Sequence, residues 1–430
     1  QARRFGARQR LGFTLQFASA TFRGFPALGT AVFLGGGTIV STFTKFNFES
    51  SAATANINAI ALASDSRVTM RESAGVSMGP GYELDPLGVV DWTECIARTS
   101  VMSGLWSDGA VWDQGVAPTF CSPVVVAAGH TVTVDVLTAV SSAAVINGVL
   151  RASRVAASSW TLVMGDLSVE SGGTLDYGSE ADPIPTAYNA HLVLSSGTFA
   201  ARYGLTVRNG GNFSVRGATK TPYAFATQSI TTAQTSLTVY GSTSTDGWQA
   251  GDMITIGPTT GNGTATTSSR TISSIAGGPL YTISWAGGTL PAARVFAATS
   301  PIIVANLTRN ALVRSSGTIV AGTNANSAYI RNLVSNATSF ALAHGEFAYL
   351  GANVAAKYGI VFDGAGTRGS VSSSTVRNGY DGIQLNSSSN NDISGNNIYA
   401  NTDIGLYLIT ASGNDVTGNN SYANVLRGCH

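Results

Sequence analysis

A repeat of fixed length near the end of the chain constrains the fold more than any other feature of the sequence. Two series of residues recur at intervals of 23 positions. They are four glycines and three asparagines: Gly359, Gly382, Gly405 and Gly428, and Asn378, Asn401 and Asn424. A fixed period of this length is typical of solenoid proteins, in which each repeat forms one coil and stacks on its neighbours.

Each period reads as short strands separated by turn residues. Apolar residues follow the first three glycines in YGIVF, DGIQL and IGLYL, and another strand is indicated in SSTV, NNIY and NNSY. This pattern predicts coils of a parallel β-helix, stacked about 4.8 Å apart. We expect the periodic glycines to adopt positive φ at turns, and the asparagines to form a ladder of side-chain amides between coils.

The motif N-D-Φ-x-G-N-N-x-Y-A-N, with Φ an apolar residue, occurs twice. It predicts which further residues lie in the core and which lie at turns. Ile393 and Val416 are expected in the core, and Gly395 and Gly418 at turns. Similar strands with a glycine turn occur earlier, at 126–134, 169–177 and 207–215, and strong helical periodicity is absent. The sequence therefore predicts an all-β fold built around a parallel β-helix.

Composition excludes several classes of function. Charged residues make up 11% of the chain, against about 25% in an average soluble domain. The net charge is +1 and the 24 lysines and arginines are scattered, so no surface for nucleic acid is indicated. No stretch approaches the roughly 20 apolar residues of a membrane-spanning helix.

The cysteines and histidines do not predict a cofactor. Cys95, Cys121 and Cys429 form no metal-ligand spacing, and a Cys95–Cys121 disulfide and free buried thiols are both open. The four histidines likewise have no partner at metal-ligand spacing. They are His130, His191, His344 and His430.

Between Gly104 and Gly317 a series of ordered motifs resembles the eight-glycine domain. This extracellular β-rich module occurs in fibrocystin-like and hyaluronan-binding cell-migration proteins and in many bacterial surface proteins. The matching segments are LWSDGAVWDQGVAP, AAGHTVTVD, INGVL, LDYGSEADPIP, GWQAGDMITI and LTRN. The resemblance implies an extracellular protein in which a right-handed parallel β-helix follows the module, and it places Trp106, Trp112 and Trp248 in the core.

Three regions are predicted on this basis. Residues 1–100 form an N-terminal β-rich domain or cap, residues 101–317 an eight-glycine-like β-helical domain, and residues 318–430 parallel β-helix repeats. Gly428 opens a new coil two residues before the chain ends, and an open coil exposes unpaired backbone groups. We therefore expect the chain to be truncated or to stack end to end on neighbouring subunits.

Asp392 and Asp415 are candidate catalytic residues because they lie one period apart. Stacked coils would place their carboxylates near 5 Å, a separation found in retaining glycosidases. Asp403 is a third candidate, because it lies in an NTD tripeptide similar to the first motif of pectin hydrolases. Asp363 and Asp381 are further acidic candidates. The alternatives are solvated turn residues, which the preceding asparagines favour, or a calcium site.

The leading hypothesis is a non-enzymatic structural or adhesive protein of a cell surface, filament or virion appendage. A polysaccharide is its expected ligand, and no cofactor is required. The alternative is a polysaccharide hydrolase or lyase that acts on the β-helix surface near Asp392 and Asp415. The motifs of pectin hydrolases that would accompany NTD are missing, which favours the first hypothesis.

Overall fold

The computed structural model describes residues 96–197, 202–221, 223–240, 247–257, 268–286, 288–297, 301–306 and 308–430, together with the backbone of nine strands between residues 20 and 90. This part of the chain is almost wholly β structure. Its one helical element is a 3-10 turn at Gly109–Val111. No helix among the described residues is long and apolar enough to cross a membrane.

The strands are numbered in chain order. The first nine are β1 (Ala20–Arg23), β2 (Thr30–Leu34), β3 (Ile39–Ser41), β4 (Lys45–Glu49), β5 (Thr54–Ile57), β6 (Ile60–Leu62), β7 (Arg67–Arg71), β8 (Ser77–Met78) and β9 (Val89–Val90). The next thirteen are β10 (Arg98–Thr99), β11 (Gly104–Leu105), β12 (Val124–Val126), β13 (Thr131–Val134), β14 (Ala139–Ser141), β15 (Ala144–Ile146), β16 (Val149–Ala152), β17 (Ser158–Leu162), β18 (Leu167–Val169), β19 (Thr174–Tyr177), β20 (Ala190–Leu194), β21 (Gly204–Val207) and β22 (Asn212–Arg216).

Six strands then precede the last fourteen. The six are β23 (Tyr223–Phe225), β24 (Ser236–Tyr240), β25 (Met253–Ile256), β26 (Ser268–Gly277), β27 (Leu280–Trp285) and β28 (Ile303–Asn306). The last fourteen are β29 (Ala311–Ser315), β30 (Tyr329–Asn332), β31 (Phe340–Ala343), β32 (Glu346–Ala348), β33 (Ile360–Asp363), β34 (Ser370–Ser372), β35 (Thr375–Arg377), β36 (Ile383–Asn386), β37 (Asp392–Ser394), β38 (Asn397–Tyr399), β39 (Ile404–Ile409), β40 (Asp415–Thr417), β41 (Asn420–Tyr422) and β42 (Arg427–Cys429).

Three long parallel sheets confirm the predicted parallel β-helix. Sheet 1 has the order β10-β12-β15-β18-β21-β30-β33-β36-β39-β42, sheet 2 the order β11-β13-β16-β19-β22-β31-β34-β37-β40, and sheet 3 the order β14-β17-β20-β29-β32-β35-β38-β41. Over residues 360–430 the chain visits the three sheets in turn, and each visit pairs in parallel with the one before. The handedness of the helix stays a prediction.

Alternating burial along the strands builds the core of the helix. In β17 and β20, for example, every second side chain points inward and is buried. Aromatic rings stack edge to face along the interior, with Phe340 between Phe213 and Phe362 at centroid distances of 5.8 and 5.2 Å. Trp106 and Trp112 are buried at the first coils. These inward columns are what hold successive coils together by apolar burial.

An antiparallel sheet interrupts the helix between β22 and β29. Its order is β23-β28-β25-β26-β27-β24, and it has a hydrophobic cluster of its own, which includes Ile254, Ile283 and Val304. We call it the inserted sheet. β20 pairs with β29 and β21 with β30, so the helical sheets continue across the insertion. The predicted range 101–317 thus contains both coils and this sheet, and the predicted domain boundaries stay a prediction.

The first nine strands also form sheets: β1-β4-β7-β9, β2-β5-β8 and β3-β6. All their pairings are parallel except that of β7 with β9. They are the predicted N-terminal β structure. Cys95 lies outside the described residues, while Cys121 is disulfide-bonded and Cys429 is free.

Asparagine ladders occur at all three corners of the last coils. Asn401 Nδ2 donates to Asn424 Oδ1 at 2.9 Å, as the sequence indicates. Two further ladders join Asn391 to Asn414 at 2.8 Å and Asn396 to Asn419 at 2.9 Å. In each pair the same Oδ1 also accepts the backbone N–H of the earlier asparagine. The ladders therefore satisfy the backbone where the chain leaves each sheet.

Asn378 does not join its expected ladder. Asn401 Oδ1 accepts the N–H of Gly379, 22 residues earlier, instead of bonding to Asn378. Asn378 has a φ of 55° and occupies the same kind of turn as Ala400, whose φ is 54°. The reason is that β35 and β38 pair at an offset of 22 residues, so the period of 23 fails at this corner.

The periodic glycines form a column, but the expected positive φ is wrong for them. None of Gly359, Gly382, Gly405 and Gly428 has a positive φ, whereas Gly395 and Gly418 do, at 64° and 63°. Close approach of the coils is the physical reason for glycine here. A Cβ on Gly359 would lie 2.2 Å from the carbonyl oxygen of Asp381. Any larger residue would push neighbouring coils apart.

Ile393 is buried as expected, but Val416 is 37% exposed. Val416 lies in β40, the outermost strand of sheet 2 in the structure, so it has a neighbouring strand on one side only.

Replacing Asn396 should destabilise the last coils. Its side chain accepts from Ser374 N–H at 3.0 Å and donates to the Val371 carbonyl at 2.7 Å, and both are buried partners. Each buried group left unsatisfied costs about 1–3 kcal/mol. Asn396→Ala should therefore lower the free energy of unfolding by roughly 2 kcal/mol or more, measured by guanidinium denaturation with hydrogen exchange of residues 370–399. Asn397→Ala is the control, because Asn397 points outward; equal effects would contradict a ladder role.

Replacing Tyr177 should stabilise the protein, in contrast to the replacement of Asn396. Its ring is fully buried, and its hydroxyl has no hydrogen-bond partner among the residues that the structure describes. Burial of an unsatisfied hydroxyl costs about 1–3 kcal/mol, so Tyr177→Phe should raise the melting temperature. Tyr329→Phe, which removes a hydroxyl that interacts with Thr206, should not raise it. A lower melting temperature for Tyr177→Phe would show that the hydroxyl is satisfied in solution.

Candidate functional site

Asp392 and Asp415 lie side by side on the outer surface of sheet 2. They are Cα partners in β37 and β40, and both side chains are exposed. Ser370 precedes them in the same column. Neither carboxylate has a hydrogen bond or ion pair to another described residue. Two adjacent solvated carboxylates can attract a cation or act on a bound substrate, but nothing in the described part of the chain orients them.

Asp403 lies at the corner between sheets 3 and 1, next to Asp381. Asp381 is 2% exposed, and its Oδ1 accepts the Ile404 N–H at 3.2 Å. Burial, reinforced by the charge of Asp403, raises the pKa of Asp381 to about 7 against the effect of this hydrogen bond. The Tyr380 hydroxyl interacts with Asp403, and burial together with this carboxylate raises the pKa of Tyr380. The pair can hold a proton at neutral pH, but Asp381 is enclosed and does not reach a substrate.

Asp363, the remaining acidic candidate, is engaged on sheet 1. Arg331 forms an ion pair with it at 2.6 Å, and Asn386 donates to its other oxygen at 2.8 Å. A carboxylate held in this way by two donors is a structural element of the surface.

The outer surface of sheet 3 carries a group of side chains that sequence reasoning missed. Arg377, Tyr399 and Tyr422 are Cα partners in successive coils. The two tyrosine rings stack with centroids 5.0 Å apart and planes inclined by 12°. Tyr422 is 39% exposed. This arrangement forms a platform of stacked aromatic rings, seen from outside by their edges, beside a guanidinium group.

Charged groups continue the platform toward the middle of the helix. Arg377 forms an ion pair with Glu346 at 2.6 Å, and both Arg377 and Arg314 lie over the ring of Tyr349, at 5.6 and 5.8 Å. We call Arg314, Glu346, Tyr349, Arg377, Tyr399 and Tyr422 together the tyrosine surface.

The electrostatics of the tyrosine surface favour a charged arginine beside neutral tyrosines. Burial disfavours the charged form of Arg377, but the Glu346 carboxylate outweighs it, so the pKa of Arg377 is raised. Burial raises the pKa of Tyr399 to about 12, against the opposing charge of Arg377. The surface therefore offers aromatic ring edges and hydrogen-bond donors at every physiological pH.

A signal for this surface is present in the sequence. Tyr399 and Tyr422 recur with the 23-residue period in NNIY and NNSY, at the outward position beside a core residue. The tryptophans that the structure describes, which are the more usual sugar-stacking residues, point elsewhere. All five are buried: Trp106, Trp112, Trp160, Trp248 and Trp285.

Comparison with known proteins finds two family models that each match a part of the chain. Residues 111–228 match the G8 domain, and residues 298–430 match the family described as periplasmic copper-binding protein (NosD). The resemblance to the eight-glycine domain followed by β-helix repeats is thereby confirmed. No curated protein matches the chain significantly.

A solved structure with a similar chain is the Gp54 tailspike of Acinetobacter baumannii bacteriophage AP22 in complex with A. baumannii capsular saccharide. The identity is 11%, the match covers 68% of this chain, and the TM-score is 0.19. This chain spans about 42% of the tailspike chain.

The copper named in one family description does not fit the residues present. Copper sites use imidazole and sulfur ligands, and within residues 298–430 these are His344, Cys429 and His430. Among the described residues, no three His, Cys, Asp or Glu side chains lie together as a metal site. We therefore derive no chemistry through copper.

Asp381 should make the stability of the last coils depend on pH. Its pKa is raised on folding, so its contribution to stability is fully present below about pH 4 and is lost as the pH rises through about 7. A tenfold change in an acid dissociation constant corresponds to about 1.4 kcal/mol. Asp381→Asn should therefore be more stable than the parent protein at pH 8, and this gain should shrink toward pH 4.

Thermal unfolding between pH 4 and pH 8 measures this effect. Asp392→Asn is the matched control, because it replaces an exposed carboxylate on sheet 2, and its effect on stability should be the smaller one. Parallel profiles for Asp381→Asn and the parent protein would show that Asp381 has an ordinary pKa.

Proposed function

We propose that this chain, which combines a G8 domain with parallel β-helix repeats, is a non-enzymatic extracellular structural or adhesive protein that binds glycans on the tyrosine surface. The observation that carries the proposal is the stacked pair Tyr399 and Tyr422 beside Arg377. The two stacked rings present their apolar edges outward, where the apolar face of a pyranose ring can pack against them. The neighbouring Arg377, Asn397 and Asn420 supply donors for sugar hydroxyl or carboxylate oxygens.

The regular spacing of the platform favours an extended ligand. Coils repeat about every 4.8 Å, so tyrosines in successive coils present one continuous surface along the helix axis. A polymer of sugars can lie along such a surface with several rings in contact. This supports a polysaccharide over a small metabolite.

The cellular setting follows from the family matches and the fold. The second family is described as periplasmic, and the first is the module found in extracellular proteins, which supports an exported protein. A stack of coils in which sheet 1 runs from β10 to β42, with sheets 2 and 3 beside it, is a rigid rod. Such a rod suits a cell surface, a filament or a virion appendage, where end-to-end stacking with neighbouring subunits would extend it.

A polysaccharide hydrolase or lyase is the second candidate function. The observation that favours it is the exposed pair Asp392 and Asp415, which the structure places on neighbouring strands. Incubation with neutral and acidic polysaccharides, followed by assay of new reducing or unsaturated ends, tests it. Turnover that Asp392→Asn abolishes would establish an enzyme and overturn the non-enzymatic proposal.

Binding to the tyrosine surface is tested with immobilised neutral and acidic oligosaccharides. An aromatic contact contributes about 0.5–1.5 kcal/mol, so Tyr422→Ala should weaken binding roughly 2- to 10-fold. Tyr422→Phe keeps the ring and should bind nearly as the parent protein does. Tyr223→Ala removes an exposed tyrosine from the inserted sheet and serves as the control. No binding to any glycan, or equal loss in Tyr223→Ala and Tyr422→Ala, would contradict the proposal.

A further inference from the structure

Three buried polar side chains meet where the inserted sheet joins the helix. Lys220 follows β22, where the chain leaves the helix, and Asn306 ends β28, where the chain returns to it. Asp252 immediately precedes β25. Their exposed fractions are 3%, 0% and 2%, for Lys220, Asn306 and Asp252 respectively. We call Lys220, Asp252 and Asn306 the neck triad.

The Asp252 carboxylate bridges the other two side chains of the neck triad. Lys220 Nζ donates to Oδ1 at 2.5 Å, and Asn306 Nδ2 donates to Oδ2 at 2.8 Å. The amine and the carboxamide are thus held on the two oxygens of one carboxylate. The Asn306 carbonyl oxygen, Oδ1, accepts the backbone N–H of Thr308 at 3.0 Å.

This arrangement contains the parts that an amide-transfer reaction requires. A lysine amine is a nucleophile when it is neutral, and a carboxamide carbon is an electrophile. A carboxylate between them can move protons from one nitrogen to the other. A backbone N–H on the carbonyl oxygen stabilises the negative charge that develops there. Burial keeps water away from the reacting carbon.

We propose that Lys220 and Asn306 form an intramolecular isopeptide bond, with Asp252 as the proton carrier. The neutral Lys220 amine attacks Cγ of Asn306 and forms the new C–N bond. Asp252 takes a proton from the attacking nitrogen on Oδ1 and delivers one to Nδ2 from Oδ2. The Cγ–Nδ2 bond then breaks, and ammonia leaves. Asp252 ends in the protonation state in which it began, and no oxidant or second reactant is needed.

Electrostatics at the neck support the neutral amine. Burial lowers the pKa of Lys220, and the nearby Arg309 charge acts in the same direction, against the hydrogen bond and charge of Asp252. Trp248 packs close by, since its Nε1 donates to the Thr221 carbonyl at 2.6 Å. The amine is therefore enclosed, shares the Asp252 carboxylate with the Asn306 carboxamide, and is less basic than a lysine in water.

The bond would close the inserted sheet at its base. It would join residue 220, just before the first inserted strand, to residue 306, the last residue of the last inserted strand. A force that pulls the inserted sheet away from the helix would then load a covalent link before it loaded the hydrogen bonds between strands. Such a link is independent of glycan binding, so its test does not depend on the function proposed above.

Intact-mass spectrometry of the reduced, denatured protein tests the proposal directly. The expected mass is lower than the sequence mass by one ammonia molecule. A proteolytic digest should contain a branched peptide that joins the segment around Lys220 to the segment around Asn306. A mass equal to the sequence mass would overturn the proposal. Loss of one water, with Lys220 joined to Asp252, would overturn the assignment of Asn306 as the electrophile.

Two variants test whether the loss of ammonia comes from the neck triad or from another part of the chain. Lys220→Arg keeps a positive charge beside Asp252 but is not an amine nucleophile, so the mass deficit should disappear. Lys357→Arg, at a lysine that lies over the Tyr329 ring, should retain the deficit. A deficit that persists in Lys220→Arg would contradict the proposal. If Lys220→Arg fails to fold, the digest of the parent protein still decides the question.

Discussion

The hydrogen-bonded spacing between neighbouring coils is the constraint on which the rest of this structure depends. Parallel strands of adjacent coils lie about 4.8 Å apart, and each coil bonds only to the coils on either side of it. The corners are the vulnerable points, because the chain leaves the sheet there and its N–H groups lose their regular acceptors. Asn391, Asn396 and Asn401 meet this need with side chains that bond across the gap.

The same spacing decides which residues the outer surface can carry. Side chains at equivalent positions of neighbouring coils lie within contact distance. A residue type that recurs in such a column must therefore pack against copies of itself. Two tyrosines pack well in this way, and the rings of Tyr399 and Tyr422 stack with their centroids 5.0 Å apart. Two carboxylates repel each other, and Asp392 and Asp415 remain side by side because both are exposed to solvent. Asp381 is enclosed beside Asp403, and its raised pKa is the consequence.

The periodic residues made much of the fold predictable. Glycines at intervals of 23 residues indicated coils. At these positions the backbones of neighbouring coils approach so closely that a side chain would not fit between them. The ladder was predictable for Asn401 but not for Asn378. Strands of sheets 2 and 3 pair there at an offset of 22 residues while sheet 1 keeps 23, and a count along the sequence cannot show where a turn loses a residue. Tyr399 and Tyr422 carried the same period, but outward columns resemble ordinary surface until the stacking geometry is known. The inserted sheet was hidden because its alternating strands look the same whether they pair in parallel or antiparallel.

The neck shows how a helix of this kind can accept an insertion of another topology. The strands on either side of it, β20 and β29, pair as though the intervening residues were absent, so the entry and exit of the insertion must stay close together. A buried ion pair between Lys220 and Asp252 holds the entry and exit together only weakly. The free energy needed to remove two charges from water offsets much of the free energy of their attraction. An amide between Lys220 and Asn306 removes the lysine charge and replaces an attraction with a bond. Arg309, which is 6% exposed and whose charge interacts with Glu346 and with Asp252, leaves a positive charge near that carboxylate.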